Sequence, residues 1–567
     1  VPISQQTLAA AIKPAAPALD KLLVCLRHAQ GDFMTSPAAL AVPGRLRPVT
    51  EPAPQPPLIF GHPAGLFVLF FTEMWERFSY YGMRSLLVLF LIADARHGGW
   101  SWSRAEALQL YGWYTGLAFF LPLVGGYIAD RWLGSSRAVL AGGLLIALGH
   151  ACLLLDTPLA FFPGLALVAS GTGLFKPNVS VMVGQLYRDG NEPLRDAGYT
   201  LFYMGVNSGA FFGTLLCGYV GETVSWPLGF SLAGLFMLLG TMQFYFAGAM
   251  LGVAGDPGEA RNPAQDQTQN RAVTQQGQAA DLPARVVADR LHVVYLLSFF
   301  AIFFWFAYEQ AGGAMTIFAA AYTDRQLDAG GGQLFKVVNG MMSVISALIL
   351  TWVMGKLCVA GGRRALRSNL LLGLCLALVW TLLVWMLLRT WRQPQPSVPA
   401  TWFGVLPAFF IVVFAPLWSR LWERRWNPAG PVKFGLGLLL LGAGFAVLAY
   451  GARGIPSGAA SASVNLGFLA AAYWLHTMGE LCVSPVGLSL ISKLAPQRLR
   501  GLMFGVWFLN AAVAIKLAGL AGSYIDRISS AWSMSTFFLI FAVVPAAAGL
   551  LITTLSRWMT LKMHGVR

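Results

Sequence analysis

The chain has 567 residues, 56% of them hydrophobic and 11% charged, with a mean hydropathy of +0.62. Soluble domains carry about a quarter charged residues, so a soluble enzyme or binding module is excluded; continuous apolar blocks likewise exclude a β-barrel, whose strands alternate. The formal charge of +15 does not require nucleic acid, because cytoplasmic loops of membrane proteins collect Lys and Arg.

In chain order, residues 1–62 read as an Ala/Pro-rich, weakly patterned N-terminal extension, expected to be disordered and without the arrangement of a cleavable signal. MTSPAALAVPG, beginning at Met34, has the look of an amino terminus, so residues 1–33 are expected to be non-native or an over-extended start. Apolar blocks of about 20 residues, enough to cross a bilayer, then predict helices near 64–92, 106–129, 137–155, 159–186, 197–220 and 227–252. A polar, Gln-rich stretch over 253–290 reads as a flexible cytoplasmic linker. Further blocks follow near 291–321, 334–358, 368–389, 401–420, 433–451, 465–491, 500–524 and 534–557. The fold class expected is an all-α polytopic membrane protein with about fourteen transmembrane helices.

Loop charges test that number. Arg131 and Arg137, Arg188 and Arg195, Arg285 and Arg290, Arg363, Arg364 and Arg367, Arg420, Arg424 and Arg425, Lys493, Arg498 and Arg500, then Arg557, Lys562 and Arg567 occupy alternate loops. All fall on one side, which the positive-inside rule makes cytoplasmic, together with both termini. Six helices (63–252), a linker and a second set is the layout of a two-half transporter with its site between the halves. The second set is expected to comprise a first helix at 291–333, an inserted pair at 334–389, peripheral to the bundles, and the remainder at 390–567. Five of the six cysteines (Cys152, Cys217, Cys358, Cys375 and Cys482) lie in apolar blocks without metal-type spacing, and no metal is expected.

The first block is unusual. Glu73, Glu76, Arg77, Tyr80, Tyr81 and Arg84 stand at offsets that fall within roughly 140° of helical arc. A bare charge at mid-bilayer costs from about 2.5 kcal/mol upward, so both signs on one stripe imply mutual pairing along an aqueous path. Lys176, beside Pro177 in the fourth block, also needs a partner, for which the glutamates of the first block are the candidates. Glu480 is the lone acid of its block, with Ser484 one turn on.

The stretch EMWERFSYYGMR (73–84) resembles the E-x-x-E-R-F-x-Y-Y signature of the proton-dependent oligopeptide transporter family, a branch of the major facilitator superfamily. GGYIADRWLG (125–134), GTGLFKPNVS (171–180), FYMGVNSGAFFG (202–213), FWFAYEQAGG (304–313), GELCVSPVGLSLISKLAP (479–496) and GVWF (505–508) resemble its further motifs in order. The resemblance runs from about Gly61 to the C-terminus, interrupted by 334–389. It implies two six-helix bundles plus an extra pair, working by alternating access.

The resemblance also implies roles. Arg77 and Lys176 would attract a peptide carboxylate, and Glu480 would hold the amino terminus. Glu73 and Glu76 would help carry the proton. Glu309 would bridge Arg84 and release it on protonation, since burial favours the neutral acid and a nearby cation the carboxylate. Tyr80, Tyr81, Tyr203, Asn207, Ser484 and Trp507 resemble the lining, and Asp130, Arg131 and Arg137 a gate, in which a carboxylate caps a helix N-terminus in one state. Phe119, Thr316, Pro407 and Ile515 depart from the residues usual in the family, a tyrosine and three asparagines. A non-peptide zwitterion or anion is therefore the alternative ligand.

The expectation is a proton-coupled symporter importing di- and tripeptides across a bacterial inner membrane. It would work as a monomer, with the proton gradient as energy source, no cofactor and no nucleic-acid partner. The chain has no HExxH, no GxSxG with partners and no GxxxxGK[ST], against an integral-membrane enzyme or primary pump. A receptor has no need of opposite charges on facing helices.

Overall fold

Leu58–Ile59 and His62–Pro63 pair as a small antiparallel hairpin (β1, β2), with Phe60 and Gly61 both at positive φ in its turn, as a two-residue connection of this hand requires. Residues 57–62, part of the extension expected to be disordered, are instead ordered, because this turn docks Phe60 on Phe67 and Trp352. A computed structural model describes residues 57–187, 192–251, 283–424, 426–496 and 499–566. The rest of the extension, residues 253–282 of the linker, and Arg188, Arg425, Arg498 and Arg567 lie outside the described residues. The helix packing and the candidate site lie in the compact unit made of Pro56–Asp156 and Ala160–Arg567; of the other unit, residues 1–55 with Thr157–Leu159, only the last three are described.

The first six long helices are α1 (Ala64–Ile92), α2 (Arg104–Ile128), α3 (Ser135–Leu154), α4 (Pro158–Gln185), α5 (Glu192–Thr223) and α6 (Trp226–Phe246). The seventh span is broken into α7 (Ala284–Tyr308), a 3-10 turn (Glu309–Gly312) and α8 (Ala314–Ala321). Then come α9 (Ala329–Gly361), α10 (Leu366–Arg392), a 3-10 turn (Ala400–Val405) leading into α11 (Leu406–Arg424), α12 (Gly430–Gly451), α13 (Leu466–Leu494), α14 (Arg500–Gly522) and α15 (Met534–Lys562). Thirteen spans among the described residues are long and apolar enough to cross a membrane. The fourteenth, α1, is 29 residues long, about 43 Å at the helical rise, and falls short on hydropathy grounds because of its four ionisable side chains.

Small residues set how closely the helices approach. On α5, Gly205, Gly209 and Gly213 face α1: a Cβ on them would stand 2.9 Å from the Phe70 carbonyl, 2.2 Å from that of Met74 and 2.3 Å from that of Phe78. This is small-xxx-small packing, which lets backbones touch. On the opposite flank α2 meets α14, where a Cβ on Gly112 would stand 2.8 Å from the Gly519 Cα. The stem of α7 starts at Ala284, earlier than the expected 291, because ARVVADR continues the helix beyond its apolar block.

Helices α9 and α10 follow the seventh span in sequence but pack on the first bundle: α10 lies along α6, and α9 touches α1. Gln243 on α6 donates to Ser368 on α10 at 3.4 Å. The pair contributes none of the candidate site residues.

Candidate functional site

The stripe of α1 is buried: Glu73, Glu76, Arg77, Tyr80 and Arg84 are each at most 8% exposed. Arg77 Nε lies 3.2 Å from Glu73 Oε1, the i, i+4 pairing that helical spacing allows, and it also pairs with Glu76. Thr172 on α4 donates to the other Glu76 oxygen at 3.2 Å. The guanidinium lies over Tyr80, 5.3 Å from the ring centre. Two charges of one sign and one of the other are thus settled within a single helix turn.

Polar atoms remain unspent. Arg77 Nη2, Glu73 Oε2 and the hydroxyls of Tyr80 and Tyr114 on the first bundle, and Ser484 Oγ on the second, are buried without a hydrogen-bond partner among the described residues. Buried polar groups normally find partners, so the four on the first bundle, around the α1 stripe, mark a place for a polar ligand or water.

Lys176 is placed differently from expectation. Among the described residues no carboxylate is in ion-pairing distance of it; its ammonium stands 4.4 Å from the centre of the Phe119 ring. A cation–π contact is its direct partner, and Glu73 and Glu76 act on it from beyond ion-pairing distance. The ring contact depends on Phe119, one of the four positions that depart from the family. Pro177 follows directly and offers no N–H to the Gly173 carbonyl, and Gly125 on α2 packs against that carbonyl, where its Cβ would stand 2.1 Å away.

Arg84 and Glu309 form the ion pair proposed from the sequence, across the bundles, with side chains 10% and 3% exposed. Tyr111 on α2 accepts from Arg84 Nε at 2.7 Å. The break in the seventh span makes room: a Cβ on Gly312 would stand 2.1 Å from the Tyr111 hydroxyl and 2.8 Å from Arg84 Nε. Discontinuous helices are a recurring device of transporter sites.

Glu480 on α13 accepts from the Tyr308 hydroxyl. Tyr308 ends α7, one residue before Glu309, so both acids are positioned by the same helix end. Tyr203 is 48% exposed on α5, whereas Asn207 is buried with its side chain donating to the Tyr203 carbonyl at 3.0 Å. Tyr81 is half-buried, and the Arg84 guanidinium lies 5.8 Å from its ring centre. Trp507 is 4% exposed and packs over Gly487, where a Cβ would stand 2.4 Å from the indole. Asp130, Arg131 and Arg137 are exposed, the first two within a π-turn over Ala129–Leu133, and make no ion pair among the described residues. Asp130 caps no helix among them; Arg131 donates only to Tyr127 at 3.4 Å.

Sequence reasoning missed Tyr111, Tyr114, Thr172 and Tyr308. Thr172 and Tyr308 stand inside motifs already quoted, GTGLFKPNVS and FWFAYEQAGG. Tyr111 and Tyr114, at i and i+3 on α2, showed no signal, because a tyrosine pair in an apolar block reads equally well as packing.

Further contacts join the bundles at one end. Arg104 on α2 donates to Asp526 at 3.0 Å, to the Tyr322 hydroxyl at 2.7 Å and to the Ala460 carbonyl at 3.0 Å. The α1–α5 contact supporting the stripe gives a direct stability test. Gly209→Ala is expected to lower the yield of monodisperse protein and its melting temperature in detergent, by about 1–3 kcal/mol for overpacking. Ala210→Gly, one position on, serves as the control.

A family model described as PTR2, POT family, matches residues 136–262 and 379–538. A peptide transporter, YePEPT, of Yersinia enterocolitica subsp. palearctica is 32% identical over 520 residues, covering 82% of this chain and 88% of that one. A di-/tripeptide transporter of Lactococcus lactis subsp. cremoris is 31% identical, covering 90% and 98%. Among solved structures, a peptide transporter POT in complex with sulfate superposes with a TM-score of 0.67 at 28% identity, covering 90% of this chain and 98% of that one. A POT family transporter in complex with a thioalcohol-conjugated peptide does so at 0.67 and 25%, covering 88% and 98%.

Proposed function

This chain belongs to the POT family, and on that premise we propose that it is a proton-coupled symporter importing di- and tripeptides by alternating access. The observation that carries the reading is the buried Arg84–Glu309 pair, one partner on each bundle. A titratable acid that bridges two bodies links proton occupancy to their separation, because the neutral acid gives up its charge-assisted bond.

The peptide would lie between the bundles. Arg77 Nη2 and the Tyr80 hydroxyl, unpartnered on α1, would take its carboxylate together with Lys176. Glu480 and Ser484 on α13 would take its amino end, the Tyr308 hydroxyl yielding its bond to Glu480. Glu73 and Glu76 would pass the proton. Opposite charges on opposite bundles let one zwitterion draw them together. The bacterial relatives support an inner-membrane location, and the basic loops support both termini on the cytoplasmic side. On that orientation the Arg104 and Arg84 contacts close the external face. Asp130, Arg131 and Arg137 would act at the cytoplasmic face. Monomeric function and the absence of a cofactor remain part of the same reading.

A second ligand class, a non-peptide zwitterion or anion, is favoured by Phe119, whose ring covers Lys176 without offering a hydroxyl to a peptide. Uptake into proteoliposomes under an imposed proton gradient tests both. Accumulation of a labelled dialanine without ATP is expected; no accumulation of di- or tripeptides, with uptake of another zwitterion from a ligand panel, overturns the peptide assignment.

A further inference from the structure

We propose that Glu222 latches the external face shut by clasping the neck through which the inserted helix pair joins the second bundle. Glu222 ends α5, on the first bundle. Its Oε2 accepts from the Ala400 N–H at 2.9 Å, and its Oε1 accepts from the Thr401 N–H at 2.8 Å and the Thr401 hydroxyl at 2.6 Å. Arg325 Nη1 stands 3.9 Å from Oε2, and the carboxylate is 13% exposed. One side chain of the first bundle therefore takes three hydrogen bonds and a cation from the second.

These partners are the two ends of the insertion. The chain leaves the seventh span at Arg325 and returns at Ala400. Between them the neck is stitched: Val398 N–H donates to the Arg325 carbonyl at 2.9 Å, Arg325 Nη1 donates to the Val398 carbonyl at 2.8 Å, and Gln326 pairs with Ser397. The carboxylate also faces the start of the helical run that continues through α11, where backbone N–H groups favour an anion. Gly218, one turn before Glu222, lets α5 approach, since a Cβ there would stand 2.4 Å from the Thr401 hydroxyl. Beside the clasp is a cavity of about 270 Å³ lined by Glu222, Arg325, Asn339, Thr390, Thr401 and Trp402.

The latch follows from where the pair sits. Helices α9 and α10 are packed on α6 and α1 but tethered through the neck to the second bundle. Motion of one bundle against the other would therefore load the neck, at 322–328 and 393–399, and the contact of α9 with Trp402, which donates to Asn339 at 3.0 Å. Glu222 holds the two ends of that neck, Arg325 on one side and Ala400 and Thr401 on the other, in the arrangement seen with the Arg104 and Arg84 contacts made. A merely structural carboxylate could be replaced without changing the balance of two states; a latch could not.

The proposal rests on alternating access, and the experiment separates the two. On a cysteine-free background, spin labels replace Leu155 of the first bundle and Trp532 of the second, exposed by 65% and 73%. Pulsed dipolar distances are then recorded in nanodiscs. Glu222→Ala is expected to raise the ratio of long to short distances about tenfold, as loss of a charge-assisted hydrogen bond implies. Glu222→Gln, which keeps an acceptor oxygen, and Thr401→Ala, which removes only the hydroxyl, should raise it less. If Glu222→Ala does not remain monodisperse, the graded pair carries the comparison. Distributions that superpose on the parent's for all folded variants overturn the latch. A parent whose distance shifts with pH or dialanine beside unresponsive variant ratios sinks the latch alone. A parent that never shifts, beside variants that gain the long distance, upholds the latch and sinks the transport cycle.

Discussion

Glu309→Gln is expected to abolish proton-driven accumulation of peptide while counterflow exchange partly survives. The amide keeps the shape of the side chain but carries no charge for Arg84, so the cross-bundle ion pair becomes at best a neutral-acceptor hydrogen bond, roughly half as strong. The protein is then held permanently as if protonated. Exchange of labelled for unlabelled peptide needs no net proton movement and continues. Net accumulation needs the acid to cycle, and it falls to the equilibrium level. Tyr111, which also holds Arg84, keeps the guanidinium from being stranded, so the variant should fold. A Glu309→Gln protein that still concentrates peptide with unaltered pH dependence would falsify this role and move coupling to Glu73 and Glu76.

The second large effect concerns ligand polarity. Glu480→Gln should raise the KM for dialanine roughly 30- to 150-fold, about 2–3 kcal/mol, the range for removing one member of a buried charge pair. An N-acetylated dipeptide, which has no ammonium to lose, should change little. Arg77→Ala and Lys176→Ala should weaken every ligand that carries a carboxylate. Lys176→Ala is the cleaner of these two, because Lys176 makes no ion pair among the described residues, whereas Arg77 also balances Glu73 and Glu76. Equal losses for all ligands across the series would assign these residues to folding alone.

How far the sequence reveals the site depends on how each residue's role is written in it. The stripe on α1 is legible because helical periodicity places six polar residues on one face, and the fold follows because bilayer-length blocks are counted rather than interpreted. Glu309 pairs with Arg84 as read, since no cation on its own helix competes for it. Lys176 is read only in part, because burial demands compensation for a cation without naming its kind: an aromatic ring takes the direct contact while Glu73 and Glu76 act from farther off. Trp507 and Asn207 are legible as polar or aromatic but not as facing inward or outward, a property of helix rotation that patterning within an apolar block does not encode. Glu222 carries no motif; its importance comes from a neck joined only when residues 325 and 400 meet in space.

The glycine ladder on α5 bears on how this protein enters the membrane at all. On translocon scales, a charged residue near the centre of a helix opposes insertion by about 2.5–3.5 kcal/mol, and α1 carries four ionisable side chains. Pairing of Arg77 with Glu73 and Glu76 offsets part of that within α1 itself, but Arg84 has its acid partner 225 residues later. The first helix is therefore expected to be a poor solitary insert, which the later helices secure when Gly205, Gly209 and Gly213 of α5 lie against its backbone. Charges on one face of the earliest helix thus make it lean on a later one, whose glycines give its backbone a surface to pack against.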